Sequence, residues 1–312
     1  MKIVALLPFK NEEQYLPMFA SGLKGLVDEI VAIDDGSTDK SVAILEAAGA
    51  TVYKNETSVK SGWAEHNIRQ KLLELGRKHG GTHFICLDAD EAFDAEFRKN
   101  GRGAISQLKP GETLSFQWIT IWKNADTQRV DGVYKELFKD FIVCDEPTLS
   151  YPYAFLGVRR TPHSEKTVET KSPRLVLHFQ YYDFQKTQMK QAWYKCSELI
   201  KGDRSARRIN STYSITLDTP SVKTASISDE EYEDLVMPEK EGISDANWHL
   251  PAMRKWFGEY GVKFFEPLQI WHIPELRDDF IKSEGREPVP SVYPAFLIEL
   301  NRLKNWIYNK IK

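Results

Sequence analysis

Four short apolar runs, at residues 3–7, 30–33, 51–53 and 83–87, alternate with helix-like segments over the first ninety residues. This alternation constrains the fold more than any other feature. Short continuous apolar runs are expected of strands buried on both faces of a parallel sheet, and intervening helices supply the right-handed crossovers. The spacing predicts a helix opening at Asn11, with Glu12 and Glu13 in its first turn, and others over 40–48 and 62–78. Gly49 suits the position after the second, and the pair Gly80-Gly81 ends the third, whose apolar positions are Ile68, Leu72, Leu73 and Leu75. In open sheets of this kind, ligands bind outside the carboxyl ends of the strands. Those ends carry Pro8 and Asn11, then Asp34 and Asp35, then Asp88 and Asp90, so these groups are expected to face one crevice.

From about residue 114 the pattern changes. Segments 114–122 (LSFQWITIW), 134–143 and 175–179 read as strands, with Pro147, Pro152, Pro162 and Pro173 in the connections. Beyond Gln180 helices dominate, at 184–200, 230–235 and from about Pro294 to the end, and 202–228 is polar and rich in Ser and Thr. The expected organisation is an α/β domain over 1–180 and a mostly helical extension over 181–312.

Forty-two basic and 45 acidic residues leave a formal charge of −3, which argues against a nucleic-acid partner held by bulk positive charge. Cys86, Cys144 and Cys196 are odd in number and far apart, so no disulfide framework follows, and a reduced cytoplasmic location is expected. The first apolar run is too short for a secretory leader, and no apolar stretch approaches the length of a membrane span.

Asp88-Ala89-Asp90, followed at once by Glu91, is the sharpest chemical signal. Two carboxylates one residue apart at a strand end can share Mg²⁺ or Mn²⁺, which prefer oxygen ligands and commonly bridge to phosphates. A solvated acidic turn is the alternative. In Asp34-Asp35-Gly36-Ser37-Thr38-Asp39, a carboxylate can accept from the imide of a pyrimidine or from ribose hydroxyls, while Ser37 or Thr38 caps the next helix.

Taken in order, PFKNEE, VAIDDGSTDKS, GWAEHNIR and FICLDADE resemble the N-terminal half of family 2 glycosyltransferases of the GT-A fold. The resemblance implies a Rossmann-like, mostly parallel sheet with flanking helices. It also implies transfer of a sugar from a UDP-, GDP- or dTDP-linked donor to an acceptor hydroxyl with inversion. Carried over residue by residue, Pro8 and Glu12 line the nucleotide, and Asp35, with Asp34, recognises the base. Asn67 and Arg69 occupy the helix that usually reads Ala-Arg-Asn and here reads Glu65-His66-Asn67. Asp88 matches the carboxylate near ribose or metal, Asp90 the principal metal ligand, and His178 a late additional ligand for Mn²⁺ or Mg²⁺.

Inverting transfer needs a base to take the acceptor proton. Glu165 is the first candidate, with Asp145 and Glu146 as alternatives; Arg159 or Arg160 can pair with a diphosphate. Lys190 and Trp193, on the helix after His178, are candidates to border the donor or acceptor, packing being the alternative. The C-terminal helix carries Arg302, Lys304, Lys310 and Lys312 without an acid, which suits peripheral contact with an anionic membrane face and a lipid-linked or saccharide acceptor, or else simple packing. Two other readings stay open: an inactive scaffold that keeps the fold, and a sugar nucleotidyltransferase. The loop PFKNEEQYLP lacks the glycines that the latter normally carries.

Overall fold

The computed structural model describes residues 1–55, 65–152, 159–169, 174–242, 248–289, 291 and 300. The chain forms two compact units. The first comprises 1–128, 136–179 and 226–240, and the second 129–135, 180–225 and 241–312. The chain crosses between the units after residues 128, 135, 179, 225 and 240.

The first unit is built on β1 (Ile3–Phe9), β2 (Glu29–Asp34), β3 (Thr51–Lys54) and β4 (His83–Ile85), joined through α1 (Leu16–Leu23), α2 (Ser41–Ala47) and α3 (Glu65–Lys78). β1 pairs in parallel with both β2 and β4, and β2 with β3. After β5 (Glu91–Phe93) and α4 (Ala95–Ile105) come β6 (Glu112–Trp122), β7 (Thr127–Arg129), β8 (Phe138–Cys144), β9 (Lys166–Glu169) and β10 (Leu175–Tyr181). β8 runs antiparallel between β4 and β6, giving the order β6-β8-β4-β1-β2-β3. β10 pairs antiparallel with β5, setting His178 opposite Glu91. The sheet is therefore mixed: the strands of the alternating segment pair in parallel, and β9 adds a parallel pairing with β6.

Every residue of β1 except Pro8 is buried, as a strand covered on both faces requires. Val4, Leu6, Val31 and Ile33 pack against Ile68, Leu72 and Leu73 of α3, each such side chain contributing about 1.5–3 kcal/mol on burial. Gly76 lets α3 approach closely, because a β-carbon there would stand 2.6 Å from Phe84 Cε1 and 2.9 Å from Leu6 Cδ2.

Some boundaries differ from expectation. α1 starts at Leu16 rather than Asn11, because Asn11 takes a left-handed backbone (φ 54°) and Pro17 belongs in a first helical turn. The expected strand 134–143 starts at Phe138, behind a 3₁₀ turn over Gly132–Tyr134. Segment 230–235 is a 3₁₀ turn, Asp229–Tyr232, capped by Ser228. The part of the third helix before Glu65 and, except for Leu300, the C-terminal helix expected from Pro294 lie outside the described residues.

In the second unit, helices follow the short strand β11 (Thr224–Ser226) and precede it: α5 (Phe184–Lys201), α6 (Ala206–Tyr213), α7 (His249–Tyr260) and α8 (Pro274–Glu284). Asp183 caps α5, accepting from Lys186 N, and left-handed Gly202 ends it. Met189, Cys196, Ile209, Met253, Phe265, Leu276 and Phe280 form its core. Among the described residues, no helix is long and apolar enough to cross a membrane.

Candidate active site

At the carboxyl ends of β1 and β2, two loops are latched together. Asn11 N donates to Ser37 Oγ (2.9 Å), and Asn11 Oδ1 accepts from Thr38 N (2.8 Å). Glu12 N donates to Ser41 Oγ (2.8 Å), and Glu13 accepts from Lys40 N (2.9 Å). Buried Asp34 ties down its own loop by accepting from Ser37 N, three residues on, at 2.8 Å. Asp34 is thus spent on the loop, and Ser37 serves Asn11 rather than capping α2. Asp35 remains partly exposed, its Oδ1 accepting from Asn55 Nδ2 at 2.7 Å beyond the end of β3. Pro8 lies opposite Ile33 in the same strand pair.

After β4 the chain makes a tight turn in which Glu91 N donates to Asp88 O (3.1 Å) and Asp88 N to Glu91 Oε2 (2.7 Å). Asp88 sits between two guanidiniums, Arg69 Nη2 at 2.8 Å and Arg160 Nη2 at 2.5 Å. Arg69 is oriented by Glu65 (2.8 Å), and Arg160 by Glu91, with Nη2 donating to Oε1 at 2.8 Å. Glu91 is fully buried and also accepts from Trp118 Nε1 at 3.0 Å, whereas Asp88 keeps 28% of its side chain exposed. Burial alone would raise the Asp88 carboxyl, but Arg160 and Arg69 outweigh it and hold that group well below the usual carboxylate range. Tyr151 anchors the Arg160 loop, its hydroxyl donating to Arg160 O at 2.6 Å.

The pairing of β10 with β5 delivers His178 to the same turn, with Nε2 3.5 Å from Asp90 Oδ2. Phe179 N donates to Asp90 O at 2.8 Å and fixes the backbone there. His178 stacks on Trp118, centroids 4.2 Å apart, and its Nδ1 is buried with no hydrogen-bond partner among the described residues. Its ring is therefore held by packing. A carboxylate and an imidazole nitrogen this close fit a hard-to-borderline divalent cation such as Mn²⁺ or Mg²⁺. No group of three His, Cys, Asp or Glu side chains suited to a metal occurs among the described residues, so Asp90 and His178 are a pair of candidate ligands and not a closed set.

Other expected residues lie elsewhere. Asn67 is exposed on α3, out of phase with buried Arg69. Asp145 follows the end of β8 that pairs with His83, at the amino end of β4, and is held by Arg77 at 2.9 and 2.8 Å. Glu146 is 3.8 Å from Lys166 Nζ at the same end. Exposed Glu165 precedes β9, where Lys166 pairs with Glu112 and Ser164 Oγ donates to Gly111 O. All three base candidates thus stand at the opposite end of the strands from Asp88. Arg159 is exposed, with Nη1 3.2 Å from His163 Nδ1, and only its neighbour Arg160 joins the cluster. Lys190 and Trp193 belong to α5 of the second unit, where Trp193 stacks on Trp256 and meets Trp248 edge-on.

Sequence reasoning did not assign Glu91, Trp118 or Tyr151 to the site. Glu91 had a local signal, its place directly after the D-x-D. The other two arrive through non-local strand pairing and a long connection, for which no local pattern exists.

Residues 5–107 match the family model described as "Glycosyl transferase family 2". An "Uncharacterized glycosyltransferase" of Rickettsia bellii (strain RML369-C) is 25% identical over 137 residues, covering 43% of this chain and 44% of that protein. Among solved structures, glucosyl-3-phosphoglycerate synthase from Mycobacterium tuberculosis, in complex with UDP, is 26% identical over 28% of this chain and 34% of its own, with a TM-score of 0.25. The same enzyme with Mn²⁺ and UDP-glucose is 21% identical over 38% and 44%, with a TM-score of 0.30. The chain thus spans less than half the length of these relatives.

Proposed function

We propose that this chain, which carries a family 2 glycosyl transferase domain over residues 5–107, moves a sugar from a nucleotide-diphosphate sugar to an acceptor hydroxyl. The observation that carries the reading is the gathering of Asp35, Asp88, Asp90, Arg69, Arg160 and His178 at the carboxyl ends of the strands. Asp35, which accepts from Asn55, would accept from the base or ribose of the donor. Arg69 and Arg160 fix Asp88 as an anion whose exposed edge accepts from ribose hydroxyls or joins the cation's surroundings. Asp90 and His178 would hold the divalent cation, which as a Lewis acid neutralises charge on the departing diphosphate. Pro8 and Glu12 border the nucleotide from the first loop.

Displacement with inversion, and a saccharide or lipid-linked acceptor, complete the proposal. The distance of Asp145, Glu146 and Glu165 from the cluster favours a second reading, a protein that binds nucleotide-sugar without transferring it. Turnover separates the two.

The first test is calorimetric binding of UDP, GDP, dTDP and CDP with and without Mn²⁺. One diphosphate is expected to bind in a metal-dependent way, with binding reduced at least tenfold in Asp90→Asn. Folded protein that binds none of the four contradicts the reading.

A further inference from the structure

Lys139 lies on β8, and the register with β6 sets it opposite Phe116, which makes Trp118 its diagonal neighbour on the same face. Its Nζ stands 3.3 Å from the centre of the Trp118 ring. Trp118 in turn stacks on His178 and donates to Glu91, and Arg160 approaches the same ring at 5.9 Å. The ammonium is therefore built into the cluster around Asp88, although no motif marks it in the sequence.

The charges there are unevenly satisfied. Arg69 has Glu65 and Asp88, and Arg160 has Asp88 and Glu91. Among the described residues Lys139 has no carboxylate within ion-pair distance and its ammonium donates no hydrogen bond. The ring face attracts the ammonium but accepts no N–H in the manner of an oxygen. Burial, followed by the repulsion of Arg160, lowers the Lys139 ammonium to about 8. A partly buried cation of this kind, over a ring that Arg160 also approaches while its own carboxylates are engaged, is complementary to an added oxyanion.

We propose that Lys139 is an anion-binding residue of the substrate site, its ammonium contacting a phosphate or carboxylate oxygen of the bound substrate from the face of Trp118. The inference rests on the nucleotide-sugar reading and deepens it. The oxyanion has two sources, the donor diphosphate or an acidic group on the acceptor.

The test compares wild type with Lys139→Met and Lys139→Arg in two titrations. In the first, UDP, GDP, dTDP and CDP are titrated with Mn²⁺. In the second, inorganic phosphate is titrated into protein already saturated with the tightest of these diphosphates. Loss of one charge-assisted contact should weaken Kd roughly ten- to a hundredfold in Lys139→Met, with Lys139→Arg recovering most of it. Weakening in the first titration names the donor diphosphate, and weakening in the second names the acceptor's acidic group. Unliganded melting curves that match wild type show that the variants fold. Wild type that binds a diphosphate while Lys139→Met binds both probes equally well overturns the Lys139 assignment alone. Wild type that binds neither probe overturns both it and the transferase reading.

Discussion

The Nε2 of His178 lies 3.5 Å from Asp90 Oδ2, although 87 positions separate the two residues in the chain. The antiparallel pairing of β10 with β5 produces this approach, and the stack on Trp118 holds the ring in place. If the pair holds a cation, His178→Asn lowers Mn²⁺-dependent nucleotide binding by roughly ten- to a hundredfold, the scale of losing a ligand or its support. Binding measured without metal stays within about twofold. Equal losses with and without Mn²⁺ would assign His178 to packing instead.

Glu91 should matter more for stability than for contact with ligand. It is fully buried and neutralises Arg160 while accepting from Trp118. Removing one partner of a buried pair strands the other charge, at about 3–5 kcal/mol. Urea unfolding of Glu91→Gln is expected to show a loss near the lower figure, because Asp88 still faces Arg160. A loss under about 1 kcal/mol would show that the pair is dispensable.

Two glycines separate close approach from simple helix propensity. Gly76→Ala places a β-carbon against Phe84 and Leu6 and should destabilise by about 1–3 kcal/mol. Gly103, exposed in α4 with open space around it, should gain up to about 1 kcal/mol on replacement by Ala. Thermal unfolding of both variants checks the pair, and a neutral Gly76→Ala would mean that α3 does not pack tightly on β1 and β4.

Burial, aided by Lys190 and Lys186, lowers His249 from the usual 6.5 to about 3. The unfolded chain therefore binds a proton below pH 6.5 that the folded chain refuses until about pH 3. Stability tied to this group is full above 6.5 and falls as pH drops through that window. Between pH 7 and 5, wild type should lose about 2 kcal/mol more than His249→Gln in urea unfolding. Parallel losses in the two proteins would show that His249 is protonated with little penalty.

Much of the parallel half was legible because its information is local. Residues 3–7, 30–33 and 51–53 carry their apolar pattern in consecutive positions, and strand-end placement of Asp35, Asp88 and Asp90 follows from it. Arg69 could be placed on its helix, yet Asn67 two residues earlier faces away, since helical phase decides which of the two reaches the turn. Lys139 and Trp118 were invisible because they meet through register between β6 and β8. Glu165 misled because the connection after Tyr151 crosses from one end of the strands to the other between Arg160 and Ser164, so neighbours in sequence serve opposite ends of the sheet. β5 was hidden by its length of three residues, too short for any period to register, and by the charge of Glu91 at its start.

The measurement that bears most directly on the central claim is release of nucleoside diphosphate from UDP-, GDP- and dTDP-sugars, with water or a saccharide as acceptor. The account predicts Mn²⁺-stimulated release of the diphosphate from one donor class, falling at least about a hundredfold in Asp90→Asn while the fold is retained. Release of pyrophosphate instead, or tight donor binding with no release under any acceptor, would contradict it, the first in favour of nucleotidyl transfer and the second in favour of a binding protein.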